Sequence, residues 1–173
     1  MLKKIYIILL ISILFLFPLS IIKVNNKDNP FNNLIITSKE KPIAKLIIKK
    51  IKLKEYLYNI NSNENNIEKH VTILDNSIFP NKENSIVFIA AHSGTGKIAY
   101  FNDLDKLEVN DSIIFIYNNK TYNYIVKDIF EEKKDGYINI NKEFEDQLVL
   151  TTCSKNKNKQ LIVNCIKKES IQN

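Results

Sequence analysis

The sequence predicts a mainly β fold, a closed or nearly closed barrel of about seven to eight strands with one or two short helices, preceded by a single transmembrane helix. Three observations lead there. Short apolar runs rich in Ile, Val, Leu and aromatic residues recur from Ile43 onward, separated by polar turns rich in Asn. Strands at such short intervals suit a barrel better than an α/β sheet. Only two short helical patterns stand against them, and the N-terminus holds an apolar stretch unlike anything that follows.

That stretch runs from Ile5 to Ile22, eighteen residues without a charge, behind Lys3 and Lys4. As a helix it spans about 27 Å, close to the hydrocarbon thickness of a bilayer. Basic residues ahead of it favour a cytoplasmic N-terminus and an extracellular remainder. Residues 1–24 are therefore expected to be the signal-anchor of a single-pass protein of the cell membrane. A cleaved signal peptide is the competing reading, although Leu19-Ser20-Ile21-Ile22 offers no small-residue cleavage site. Residues 25–42, polar and containing Pro30 and Pro42, read as a linker. Residues 43–173 then make one folded domain.

Within that domain, Ala44–Ile48 and Ile51–Leu53 are strand-like, and Asn59–Lys69 reads as a polar surface loop or short helix. Val71–Leu74 is a brief strand before the Pro80-Asn81 turn, and His70 beside it reads as a surface residue. Ile86–Ala91 is a buried strand. Phe101, Leu104 and Leu107 recur every third residue, which predicts one or two helical turns packed on a sheet. Ser112–Tyr117 and Thr121–Val126 flank Asn118-Asn119, a two-residue hairpin signal. Asp128–Phe144, charged and containing Gly136, reads as a long loop. Leu148–Cys153 and Gln160–Ile166 close the domain as a hairpin around the polar loop Ser154–Lys159.

The charge balance excludes one class of partner. The net charge is +6 and all 25 basic residues are lysine. The lysines are spread along the chain, without the basic stripe and interleaved aromatics of a nucleic-acid site. No arginine means that no site here has a guanidinium fork.

The chemistry lies at two strand ends. The run Ile86–Ala91 finishes in His92, just before Ser93-Gly94-Thr95-Gly96, and the run Leu148–Thr152 finishes in Cys153. Sheet pairing can bring two such ends together, and an imidazole beside a thiol is a common way to generate a nucleophilic thiolate. A Cys153–Cys165 disulfide is excluded by geometry. In the final hairpin Cys153 falls near Gln160 or Leu161, and Cys165 near Leu148 or Val149. That separates the cysteines by about 13 to 16 Å along the strands, against a limit of about 7 Å for a bridge. Cys165 is left as a buried packing residue and Cys153 as a free thiol.

From about Lys45 to Lys168 these blocks resemble the sortases, membrane-anchored cysteine transpeptidases. The pattern Thr-Leu-x-Thr-Cys stands here as Val149-Leu150-Thr151-Thr152-Cys153, with Val149 in place of the first Thr. Ala90-Ala91-His92-Ser93-Gly94 matches the strand that ends in the catalytic His, 61 residues before the Cys. Ile78-Phe79-Pro80, the Tyr100–Leu107 block and Lys120–Tyr124 also match.

The resemblance implies a sortase-type barrel, Cys153 as nucleophile and His92 as acid and base. It implies cleavage of an LPXTG-type sorting signal on surface proteins or pilins, through a thioacyl-enzyme. The acceptor would be an amine of a peptidoglycan precursor or a pilus. Thr152, Leu150 and Lys159 are the expected substrate contacts. The family's catalytic arginine falls on Gln160, which can donate from its amide but carries no charge. Lys159 carries charge, yet on the opposite face of a regular strand. A sortase-like module that binds its partner but turns over slowly is therefore the alternative function. An L,D-transpeptidase would need a Ser-His-Gly-Cys cluster, which is absent, and a papain-like enzyme usually places Cys before His. No cofactor is expected. Calcium, which some sortases bind between loops, would fall on Glu131, Glu132 and Asp135, but Lys133 and Lys134 among them favour a solvated loop.

Overall fold

The computed structural model describes residues 40–141 and 143–168. The expected signal-anchor and all but the end of the expected linker lie outside the described residues, among which no helix is long and apolar enough to cross a membrane. The described chain is a nearly closed eight-stranded barrel. Its strands are β1 Ala44–Ile48, β2 Leu53–Leu57, β3 Thr72–Ile73, β4 Ile86–Ala90, β5 Ser112–Tyr117, β6 Lys120–Lys133, β7 Gln147–Cys153 and β8 Lys159–Lys167. They form one sheet in the order β2-β1-β5-β6-β8-β7-β4-β3. Helical content among the described residues is two 3₁₀ turns, Lys49–Ile51 and Leu104–Lys106.

Local sequence explains most of these elements. Asn118 and Asn119 both take positive φ, 50° and 61°, and Tyr117 pairs with Lys120 across them. Two left-handed residues in succession match the twist of the flanking strands, and Asn tolerates that conformation. In β1, Ala44, Leu46 and Ile48 are buried while Lys45 and Ile47 are less so, the alternation of a strand with one face on the core. Phe101, Leu104 and Leu107 are all buried and join the core with Leu46, Phe115 and Leu148. Every residue of β7 from Gln147 to Thr152 is buried, because loops cover the face that points away from the core.

Two expectations need correction. Ile51–Leu53 does not form a strand as a unit. Ile51 ends a 3₁₀ turn, Lys52 takes φ 55°, and β2 begins only at Leu53. Asp128–Phe144 is not loop throughout, since Asp128–Lys133 continue β6 against β8. The reason is a bulge at Lys127, between Val126 and Asp128. One extra residue reverses the inward parity, so Tyr124 and Val126 face the core before it and Ile129 packs there after it. Charged side chains are admitted because β6 is largely solvent-exposed beyond the bulge.

The edges β2 and β3 approach through side chains. Tyr58 follows β2, His70 precedes β3, and their ring centroids are 5.0 Å apart. His70 is thus half-buried, with Nε2 3.2 Å from Glu64 Oε2, rather than a free surface residue.

At the other end of β7, Asp146 ties three strands together. Its Oδ1 accepts from Ser85 N at 2.9 Å and Ser85 Oγ at 2.6 Å, and its Oδ2 meets Lys167 Nζ at 2.7 Å. Burial raises the Asp146 carboxyl, but the Lys167 and Ser85 donors outweigh it and hold the group below the ordinary carboxylate range. A depressed folded value means that this stabilisation is present above about pH 4 and is lost as pH falls through the folded value. Asp146→Asn keeps a residue tolerant of the φ of 48° there. We expect it to cost about 2 kcal/mol at pH 7. Urea unfolding should show the gap to wild type narrowing below about pH 4. A gap that stayed constant would show that the ionised carboxylate contributes nothing.

Candidate active site

β4 and β7 form the parallel pair of the sheet, so both leave it at the same end. Ala90 pairs with Thr151, and Ala91 N donates to Thr151 O at 3.3 Å. The same register carried two residues further sets His92 beside Cys153, on strands about 4.8 Å apart. Side-chain alternation then sorts the residues by face. Val87, Ile89 and Ala91 of the β4 run, Leu148 and Leu150 of β7, and Leu161 and Val163 of β8 all point into the core. His92, Cys153 and Gln160 have the opposite parity and line one cavity of about 250 Å³ on the outer face of the sheet. Ile67 and Leu74 wall it from one side, Tyr137 and Ile138 from the other.

Two hydroxyls fasten the strand ends to each other. Buried Thr152 Oγ1 donates to Ala91 O at 2.8 Å, and Ser93 Oγ donates to Cys153 O at 2.7 Å. Phe101 N donates to His92 O at 2.9 Å, which ties the histidine backbone to the segment before the second 3₁₀ turn. His92 Nε2 donates to Glu68 Oε1 at 3.0 Å, with the imidazole about one-third exposed and the carboxylate more so.

Cys153 is a free, exposed thiol, whereas Cys165 is free and fully buried. Their partners are Gln160 and Leu148, as the hairpin geometry requires. Burial pushes the Cys165 thiol well up, which suits a packing residue and not a nucleophile. The contact missing from the sequence reading is Lys134, whose Nζ donates to Cys153 Sγ at 3.1 Å. Its backbone N donates to Asn158 O at 2.9 Å, so the residue after β6 is held against the β7–β8 loop. The signal for it was the apolar pair Ile129-Phe130, which extends β6 past the charged residues.

The other candidates separate by position. Gln160 Nε2 donates to Glu132 Oε1 at 2.9 Å and to Tyr137 O at 2.5 Å, so its amide donors hold the segment after β6. Lys159 lies on the opposite face, with Nζ 3.7 Å from Glu131 Oε2. Leu150 is fully buried in the core and lines neither cavity described here. Thr152 borders both cavities, although its hydroxyl is committed to Ala91.

A second cavity, about 320 Å³, meets the first at Cys153 and is bordered by Ser93, Asn102, Asp105 and Glu131. Donation from Ser154 Oγ and then from Asn156 Nδ2 holds the Glu131 carboxyl below the usual range. Glu131 and Glu132 are adjacent on β6 and face opposite sides, so the acidic group considered for calcium does not converge. Asp135 Oδ1 accepts instead from Tyr137 N at 3.3 Å. Among the described residues no three His, Cys, Asp or Glu side chains gather as a metal-ligand set.

Comparisons with known proteins place the fold. A family model described as the sortase domain matches residues 46–167. No curated protein sequence matches the chain. Among solved structures, sortase C1 from Streptococcus agalactiae superposes with a TM-score of 0.64 at 25% identity, covering 75% of this chain and 68% of that one. Sortase A from Corynebacterium diphtheriae gives 0.65 at 18% identity, over 86% of this chain and 73% of that one. Sortase C from Clostridium perfringens gives 0.61 at 22% identity, over 75% and 71%. With the family model spanning β1 to β8 and the same barrel recurring in these structures, the chain belongs to the sortase family.

Proposed function

We propose that the protein is a cysteine transpeptidase that cuts an LPXTG-type sorting signal through a thioacyl-enzyme at Cys153 and passes the acyl group to an amine of the cell wall or a pilus. It works outside the cell, tethered by residues 1–24. The observation that carries this reading is the side-by-side exit of His92 and Cys153 from the parallel pair β4 and β7, into one cavity.

The thiolate attacks the scissile carbonyl carbon, and the carbonyl π pair moves to oxygen. Collapse of the tetrahedral oxyanion breaks the C–N bond, and His92 protonates the departing amine. The acceptor amine then attacks the thioester and gives a proton to His92, and Sγ leaves as thiolate. The apolar wall of Ile67, Leu74 and Ile138 suits the aliphatic residues of a sorting signal. The second cavity, open at Cys153, is the side from which an acceptor amine would reach the thioester.

The rival reading, a binding module without turnover, draws on Gln160, whose donors are spent on Glu132 and Tyr137. The two readings separate on incubation of the full-length chain in detergent with an LPXTG-type peptide and hydroxylamine. Release of the peptide hydroxamate, with an adduct on Cys153 by mass spectrometry, is expected. Peptide binding without hydroxamate, from a chain whose Cys153 still reacts with iodoacetamide, would establish the binding module instead.

A further inference from the structure

We infer that Lys134 is a catalytic residue of this site, supplying from the end of β6 the positive charge that β8 does not carry. The inference rests on the transpeptidase reading for its chemistry, but its geometry is independent of it. On β8, the position opposite Cys153 is Gln160, and its amide nitrogen is bonded to Glu132 and Tyr137. Lys159, the next cation along, faces Glu131 on the other side. The cation that touches the reacting atom is Lys134, 3.1 Å from Sγ and part of the wall of the cavity shared by His92, Cys153 and Gln160.

Its position is built rather than casual. Lys134 N donates to Asn158 O, fixing the backbone against the β7–β8 loop. Gln160 clamps the residues on either side, through Glu132 before Lys134 and Tyr137 after it. Asn139 Nδ2 completes the clamp by donating to Glu132 Oε2 at 2.7 Å. Gln160 thereby acts as a positioning residue for Lys134. Among the described residues, no carboxylate lies within ion-pair distance of the Lys134 ammonium.

The chemistry needs charge at this place. In the attack, negative charge moves from Sγ to the carbonyl oxygen, two bonds away. An ammonium has three N–H donors, so one on sulfur leaves two to follow the charge to the oxyanion. Lys134 keeps all its protons throughout, and the leaving amine takes its proton from His92. Charge-assisted hydrogen bonds are roughly twice as strong as neutral ones, and one oxyanion donor is worth about 10²–10³ in rate.

The test compares Lys134→Met, Lys134→Arg, Gln160→Arg and the double variant Lys134→Met/Gln160→Arg as full-length chains in detergent. One readout is iodoacetamide alkylation of Cys153 at pH 7, resolved from buried Cys165 by mass spectrometry. The other is hydroxamate release from an LPXTG-type peptide. Lys134→Met should slow alkylation about tenfold, and should lower kcat about 10²-fold with KM changed less than about threefold. Lys134→Arg should stay within about tenfold of wild type. Gln160→Arg should recover at least about tenfold in the Lys134→Met background, because it restores a cation from the neighbouring strand. Lys134→Met within about twofold of wild type in both assays would overturn the assignment. If the wild-type chain released no hydroxamate, the transpeptidase reading would fall, and alkylation would still decide whether Lys134 acts on the sulfur.

Discussion

Cys153→Ala should eliminate the peptide–enzyme adduct and lower hydroxamate release by at least about 10⁴-fold, the largest loss expected of any single change here. The nucleophile cannot be replaced from within the site. Thr152 is buried with its hydroxyl bound to Ala91, and Ser93 and Ser154 spend theirs on Cys153 O and Glu131. Cys165 is no substitute either, being fully buried on the core face opposite Leu148. Cys165→Ala should therefore leave the adduct intact and cost about 1 kcal/mol of stability from lost packing. Substrate found attached to Cys165, or residual turnover by Cys153→Ala above a few per cent, would show that the nucleophile has been misplaced. A competing explanation, that Cys153→Ala unfolds the barrel, is checked by its urea midpoint, which should match wild type because the side chain is exposed.

His92→Gln should lower turnover of the amide substrate about 10²–10⁴-fold, the range for loss of a positioned general acid and base. The variant keeps a polar side chain near Glu68 but cannot deliver a proton to the departing amine. A peptide ester with a leaving group that needs no proton should therefore recover most of the acylation rate. Equal losses on amide and ester would mean that His92 merely shapes the cavity. Glu68 orients the imidazole from an exposed position, and exposed ion pairs are worth at most about 1 kcal/mol. Glu68→Gln should thus reduce turnover by less than about tenfold.

Much of the barrel was legible because strands announce themselves locally. The alternation in Ala44–Ile48, the Asn118-Asn119 turn and the apolar runs before His92 and Cys153 are properties of neighbouring residues, and they became β1, the β5–β6 hairpin, β4 and β7. The hairpin register that keeps Cys153 away from Cys165 was also legible, since a six-residue loop leaves few alternatives. Where the reading failed, a long-range term prevailed. Asp128–Lys133 has the charge density of a loop, yet pairing with six residues of β8 offsets that local preference. Lys134, at the far end of that strand, was consequently placed in solvent rather than on the sulfur.

By itself the sequence determined most strand segments and their turns, and set His92 and Cys153 at two strand ends, since period-two burial and turn preference act over a few residues. Only the tertiary structure decided that β4 lies parallel to β7, so that His92 and Cys153 share a face. It also decided that a single extra residue at Lys127 carries β6 far enough to set Lys134 against Cys153. Both outcomes depend on register between strands distant in the chain, which is set by burial of the whole sheet and by no segment alone.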